Sequence, residues 1–172
     1  MTLQRPDPTQ HVEYYGLYIN QAPEGDILQV LADAVETTVE LLAAVSPEKE
    51  TFCYAPGKWN LRQIVGHLID TEWTFAYRGL CFARADPAAL PGFDQELWAR
   101  SSPAGDRELS SLLDEFAAVR SASLAAFRGF RDVEWARTGI ANDCEFSARS
   151  MPYILAGHEV HHRKLIIERY LG

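Results

Sequence analysis

The side chains best suited to chemistry in this chain of 172 residues crowd into one short run near its end, Gly157-His158-Glu159-Val160-His161-His162. Three of the five histidines lie there, while His11 and His67 stand apart. A helix turns about 100° per residue, so residues three or four apart share a face. Two pairings are therefore open, His158 with His162 and His158 with His161. The apolar residues around them discriminate. With Ile154 at zero, Met151, Leu155, Leu165 and Ile166 spread from ~20° to ~120°. His158 falls at ~40°, His162 at ~80°, and His161 at ~340°, the edge of the stripe. His158 and His162 are expected to face a helical interior, and His161 a rim or helix boundary.

An interior imidazole needs a partner, because a buried polar group without one costs on the order of a few kcal/mol. A divalent metal ion is a partner that two imidazoles can share, and it takes them in the neutral form. Catalytic sites usually hold their ion by three protein ligands and keep one position open. His67 is the natural third, within Ile64-Val65-Gly66-His67-Leu68-Ile69-Asp70. Asn60, Thr71, Thr74 and Arg78 lie on its face, a polar lane down an otherwise apolar helix. Gly66 and Gly157 stand directly before His67 and His158. Glycine inside a helix is unfavourable, which points to close approach of another group. The plainer alternative is a set of core histidines that hydrogen-bond one another and hold no metal. His11 and His161 are not expected as ligands.

The run from His158 to His162 also spells HExxH, the metalloprotease signature in which the glutamate is the general base. Two features argue against a protease. The motif lies at the extreme C-terminal end, with no chain after it to supply a ligand or build a cleft. Glu159 sits about 100° from His158 and so turns from the metal side.

Four long amphipathic patterns must position these residues. Residues 1–25 carry Pro6, Pro8, Gly16, Pro23 and Gly25 and read as an irregular arm, pinned to the body by Tyr14, Tyr15, Leu17, Tyr18 and Ile19. Residues 26–172 read as a single domain. Helices are expected over 26–45, capped by Asp26; over 61–85, capped by Asn60 with Gln63 completing a capping box; over 106–128, capped by Asp106; and over 148–171. For the last, Ser147 or Ser150 is the cap, and only Ser150 leaves Pro152 comfortably in the first turn. The long connection over 86–105 is suited to a crossover that lets neighbouring helices run parallel. Residues 129–146 form a second irregular connection. With almost no strand pattern, the expected fold is an all-α four-helix bundle with a long crossover connection. Val160, Ile167 and Leu171 make a second apolar strip on the last helix, fit for a homodimer interface or for the arm.

Composition narrows the function classes. A net charge of -8 and a pI near 5.1 disfavour sequence-independent nucleic-acid binding. No apolar run approaches the roughly 18 residues of a membrane span, and the opening residues lack a secretory layout. A cytoplasmic protein is expected. Cys53, Cys81 and Cys144 form no CxxC pair, so reduced, mostly packed thiols are expected rather than a zinc knuckle or disulfide framework.

Two stretches together carry a resemblance. They are Pro56-Gly57-Lys58-Trp59-Asn60-Leu61-Arg62-Gln63-Ile64-Val65-Gly66-His67-Leu68-Ile69-Asp70-Thr71-Glu72 with Arg78 beyond it, and Ala156-Gly157-His158-Glu159-Val160-His161-His162. The chain resembles the DinB-like/YfiT-like superfamily of metal-dependent enzymes from about the first helix to the C-terminus. The resemblance implies a four-helix bundle with a crossover, a three-histidine site for zinc or nickel at His67, His158 and His162, and often a dimer. Some members resemble thiol-S-transferases that use bacillithiol, mycothiol or glutathione, and others are called hydrolases. The second domain of the mycothiol-dependent isomerases has no counterpart here.

The function expected is that of a metal-dependent thiol-S-transferase or hydrolase acting on a small molecule, a low-molecular-weight thiol among the candidates. The alternative is a non-catalytic metal-binding stress-response protein. Asp70 lies about 60° off the His67 line and Glu72 about 140° off, so Asp70 is the better candidate for proton transfer or for orienting a ligand. Arg78 is a candidate contact for a substrate carboxylate, although a salt bridge to another helix is the more ordinary role for such a residue.

Overall fold

The computed structural model describes residues 3–172, so Met1 and Thr2 of the expected arm lie outside the described residues. Capping side chains fix several helix starts. α1 spans Glu13–Ile19 and α2 spans Ile27–Ala43, where Asp26 accepts from the Leu28 amide. A single turn, α3 (Pro47–Glu50), precedes α4 (Leu61–Ala83). The Asn60/Gln63 capping box expected from the sequence closes the start of α4 in both directions, at 2.9 and 3.0 Å. Then come α5 (Gln95–Ser101), α6 (Leu109–Arg128), α7 (Asp132–Trp135) and α8 (Ser150–Ile166), the last continued by a π turn over Ile167–Leu171. Between α7 and α8 lies an antiparallel hairpin, β1 (Thr138–Ala141) with β2 (Cys144–Ser147), pairing Thr138 with Ser147 and Ala141 with Cys144.

α2, α4, α6 and α8 are the four-helix bundle. α6 and α8 each pack on both α2 and α4, which face each other across the bundle. α4 and α6 are parallel neighbours: Glu72 meets Arg120, and a turn or two further on Gly79 meets Phe127. The connection between them therefore crosses over, as expected. α8 runs antiparallel to α4, with His162 beside His67 and Met151 beside Gly79. Two apolar clusters fill the bundle. One holds Leu31, Phe75, Phe82, Phe127 and Ile154, and the other Leu42, Leu61, Ile64, Phe116 and Ile166. Between them lies a buried polar layer of Thr38, His67, Thr71, Glu72, Arg120, His158, Glu159 and His162.

The described part of the expected arm, residues 3–25, carries regular structure. It holds a 3-10 turn, Pro8–Gln10, and α1, which packs along α8. Two hydrogen bonds tie it to the body: Tyr153 donates to the Leu3 carbonyl at 2.6 Å and Ser150 to the Gln10 carbonyl at 2.8 Å. The glycine before His158 serves this contact. A Cβ on Gly157 would fall 1.7 Å from the Tyr18 carbonyl oxygen, and one on Gly66 would fall 2.5 Å from Ala104 Cβ.

Other expectations shift at the element ends. The crossover contains α5 and a second 3-10 turn, Pro103–Asp106, so Asp106 ends that turn and Glu108 stands at the start of α6. Neither serine caps α8. Arg149 holds the cap position, Ser147 and Ser150 hydroxyls bond each other at 2.9 Å, and Pro152 still falls in the first turn, where its missing N–H costs nothing. The segment over 129–146 carries α7 and the hairpin rather than irregular chain. Its turn is Asn142-Asp143, with φ of 52° and 58°, the two-residue left-handed turn that suits paired strands. The second apolar strip of the last helix is divided: Val160 is buried, Ile167 is exposed, and Leu171 packs on the second cluster. Among the described residues no helix is long and apolar enough to cross a membrane. The three cysteines are free, with Cys53 exposed, Cys144 half-buried and Cys81 buried.

Candidate metal centre

His67 of α4 and His158 and His162 of α8 meet in the polar layer, and the Nε2 atoms of His67 and His162 each stand 3.1 Å from Nε2 of His158. One ligand atom from each residue lies within 4.8 Å of the other two. All three side chains are buried, at 5%, 7% and 9% exposure. Each ring nitrogen of a neutral imidazole is either a donor or an acceptor, and the Nε2 of His158 has two imidazole nitrogens facing it. A single proton on that atom satisfies only one of them. Nδ1 of His162 is buried without any partner. Three nitrogens about 2.0–2.1 Å from one tetrahedral ion stand ~3.3 Å apart, close to the spacing found here. The donor set and the convergence of its Nε2 atoms therefore fit a divalent metal ion.

Electrostatics point the same way. Burial pushes the His67 imidazole down to about 4 and that of His162 to about 3, the latter helped by His67 and His161. Burial, then the neighbouring histidines, holds His158 well below its ordinary value. All three are neutral at pH 7, the form in which imidazole ligates. Trp59 packs on His67 with ring centroids 4.9 Å apart, and Tyr18 on His158 at 5.2 Å. Two small openings reach the cluster. One, about 180 Å³, is lined by His162, Trp59 and Glu96; the other, about 50 Å³, by His67, His158, Tyr18 and Thr71. Gln95 lines both. The Thr71 hydroxyl is buried and has no hydrogen-bond partner.

Glu159, the glutamate of the HExxH run, faces the other way. Its Oε2 stands 2.9 Å from the Arg120 guanidinium, and its Oε1 accepts from Thr38 at 2.6 Å. Glu72 grips the same guanidinium through both oxygens at 3.0 Å. Burial works against the charge of Arg120, but the two carboxylates outweigh it and hold the group above its usual range. Asp70 is half-buried and lines neither opening to the histidines. Burial, with Glu115 nearby, raises its carboxyl above the usual range. Arg78 is buried and lines a separate cleft. His161 is half-buried beside Tyr18, and His11 packs near Gly16, away from the cluster. In the sequence Tyr18 stood out only as an anchor of the arm and Gln95 not at all, because each sits in a segment read as irregular. Thr71 was visible only as one member of the polar lane.

A bundle with one crossover, whose polar layer brings histidines from two antiparallel helices to a point, defines a class of helical metal-binding scaffolds. The chain belongs to the DinB superfamily, whose sequence model matches residues 31–166. It is 30% identical over 125 residues to the protein of Oceanobacillus iheyensis named "Putative metal-dependent hydrolase OB0413", covering 72% of this chain and 71% of that one. Among solved structures it is similar to YfiT of Bacillus subtilis, described as "a probable metal-dependent hydrolase with an unusual four-helix bundle topology". That match has a TM-score of 0.76 and 18% identity, over 96% of this chain and 90% of the other. The similarity to YfiT supports the bundle topology.

Proposed function

We propose that this chain is an enzyme that hydrolyses a small molecule with the help of a divalent ion, zinc or nickel, held by His67, His158 and His162. The observation that carries the reading is the convergence of three uncharged, buried Nε2 atoms, two of which face the single proton or lone pair of the third. Nitrogen donors of this kind suit zinc and nickel. When bound, the ion supplies Lewis acidity and makes water a nucleophile near neutral pH.

The chain's own residues set the conditions for that chemistry. Burial keeps the imidazoles unprotonated, so their lone pairs are free well below pH 7. Trp59 and Tyr18 cover two of the rings and limit the approach of bulk water. A small cavity lies beside His67 and His158, and three protein donors would leave a bound ion free to take a further ligand. There the unpartnered Thr71 hydroxyl is placed to hold a substrate oxygen, and Gln95 offers an amide at the junction of the two openings. Glu159 turns away from this chemistry, its carboxylate directed to Arg120 and Thr38. Hydrolysis is preferred over thiol transfer because the Oceanobacillus relative carries the hydrolase name.

The test begins with metal analysis of untagged protein beside a His158→Ala variant. The expected result is stoichiometric divalent metal in the parent and background levels in the variant; equal content in both defeats the ligand set. Loaded protein is then given ester and amide substrates in one arm, and low-molecular-weight thiols with an alkylating electrophile in the other. Turnover in the first arm that disappears in His158→Ala supports hydrolysis. Turnover only in the second arm replaces it with thiol transfer, and metal without turnover in either replaces it with a metal-binding stress-response role.

A further inference from the structure

Arg78 is a buried cation with no anion beside it. The residue is 3% exposed, and its guanidinium donates to the Pro91 carbonyl at 2.8 Å. The rings of Phe75 and Phe93 lie 5.0 and 5.9 Å from it, and Tyr15 stands close by. Among the described residues no carboxylate pairs with it, in contrast to Arg120, which has two. The interhelical salt bridge that would be its ordinary role is not made. Burial lowers its pKa, yet arginine keeps its proton. An uncompensated buried charge is strongly destabilising, so a site that keeps one open to a cavity is arranged for something to meet it.

What it opens to is a cleft of about 460 Å³, within the range of small-molecule sites. Trp73 and Tyr77 of α4 form one side, and Phe93 and Trp98 the other. Trp73, Tyr77 and Trp98 are exposed, an unusual cost for three large rings beside one cavity. The far wall is held in place: Leu90 donates to the Ile140 carbonyl at 2.9 Å, and Asn142 donates back to the Leu90 carbonyl at 3.0 Å. Gly92 lets that wall sit tight, since a Cβ there would lie 2.0 Å from Asn142 Oδ1. Asp70 lines the opposite end, about 12 Å from Arg78 along the helix at 1.5 Å per residue. Only the Arg78 end is cationic.

We propose that this cleft binds a small organic carboxylate, its anionic group received by the Arg78 guanidinium and its apolar or aromatic body laid against Trp73, Tyr77 and Trp98. A guanidinium holds a carboxylate through two parallel hydrogen bonds, and the rings give the rest of the molecule a dry surface. Phe93 lines both this cleft and the small cavity at His67 and His158, so the two spaces are neighbours across its ring. The inference names the substrate class for the enzyme proposed above and rests on that reading for catalysis alone; binding needs no metal.

The experiment titrates metal-free protein with phenylacetate and with its neutral isostere phenylacetamide, following the fluorescence of Trp73 and Trp98. Phenylacetate is expected to give a saturable change and to bind at least about tenfold more tightly than the amide, the discrimination typical of a charge-assisted pair. Arg78→Met should erase that preference and Arg78→Lys should retain part of it. His158→Ala should leave it intact. Equal affinity for acid and amide, or no saturable change with either, overturns the proposal without any variant having to fold. Loss of the preference in His158→Ala also overturns it, because the histidines would then be the anion's host. Discrimination in a protein that takes up no metal sinks the enzyme reading and leaves this site standing, whereas metal uptake without discrimination does the reverse.

Discussion

Two polar clusters lie back to back in the middle of this bundle, and adjacent residues of α8 serve one each. Glu159 turns towards Arg120, Glu72 and Thr38, and His158 towards His67 and His162. Both are almost wholly buried. The ionic cluster meets its carboxylates with a cation: Arg120 donates to Glu72 through two nitrogens and to the Leu31 carbonyl at 2.6 Å through another, and Glu159 Oε2, which accepts no hydrogen bond, stands 2.9 Å from the same guanidinium. The histidine cluster is open, because its Nε2 atoms face one another with no charged group to meet them. The difference teaches that buried polarity alone does not mark a functional site. The mark is a set of buried lone pairs that converge on one another with no cation supplied by the protein.

The sharpest way to break this contrast is to remove one member of each cluster. His67→Ala, His158→Ala or His162→Ala should abolish bound metal, measured by elemental analysis, while costing the metal-free protein only the cavity left by a buried ring, about 1–2 kcal/mol, since no charge is stranded. Arg120→Met should do the opposite. It strands Glu72 and Glu159 in the core and should cost about 3–5 kcal/mol in urea unfolding, with metal content kept in whatever remains folded. If Arg120→Met strips the metal at unchanged stability, the two clusters are one functional unit and the contrast fails.

Acid separates the clusters next. The folded protein holds His67 at about 4 and His162 at about 3, below the ordinary 6.5. The unfolded chain therefore binds more protons between those values, so stability is complete above about pH 6.5 and falls as the pH drops towards 4. Each histidine contributes a slope of up to ~1.4 kcal/mol per pH unit in that window. Metal-free protein should show this slope in denaturant titrations at pH 7.0, 6.0 and 5.0, and His67→Ala should flatten it. An unchanged slope in that variant would show that other groups carry the acid sensitivity.

Much of the contrast was legible in the chain because both clusters obey helical phase. The apolar stripe of α8 placed His158 and His162 inside and turned Glu159 away, and Asn60 with Gln63 fixed the start of the helix that carries His67. Phase also set Glu72 far off the His67 line, where it meets Arg120. Phase alone does not report depth or partners. Asp70, favoured by its angle, lies away from both openings to the histidines, and Arg78 found a carbonyl instead of a carboxylate. The short elements escaped notice for a different reason. α1 and α5 have seven residues each, too few to establish a period, and tertiary contacts rather than propensity hold them. Gly157 hinted at a close neighbour, but only the fold shows that the neighbour is the Tyr18 carbonyl. Gly157→Ala should accordingly lift α1 from α8 and cost about 1–3 kcal/mol, with a loss of α1 amide protection in hydrogen exchange.

The smallest change tests the openness of the histidine side most finely. Thr71 is buried at 3% exposure beside His67, and its hydroxyl finds no partner. If the hydroxyl were structural, Thr71→Val would lose a hydrogen bond and the protein would weaken. The geometry predicts the reverse. Valine has nearly the same shape and has no unmet donor, so stability should hold or rise by up to ~1 kcal/mol. The bound metal should be unchanged, since no histidine moves. The effect should fall on turnover of the small-molecule substrate, with kcat reduced and KM nearly constant, as when a contact made in the transition state is lost. Thr71→Ser, which keeps the hydroxyl, should restore most of the rate. A drop in stability at unchanged kcat would instead place Thr71 with Arg120, among the groups whose polarity the fold has already spent on itself.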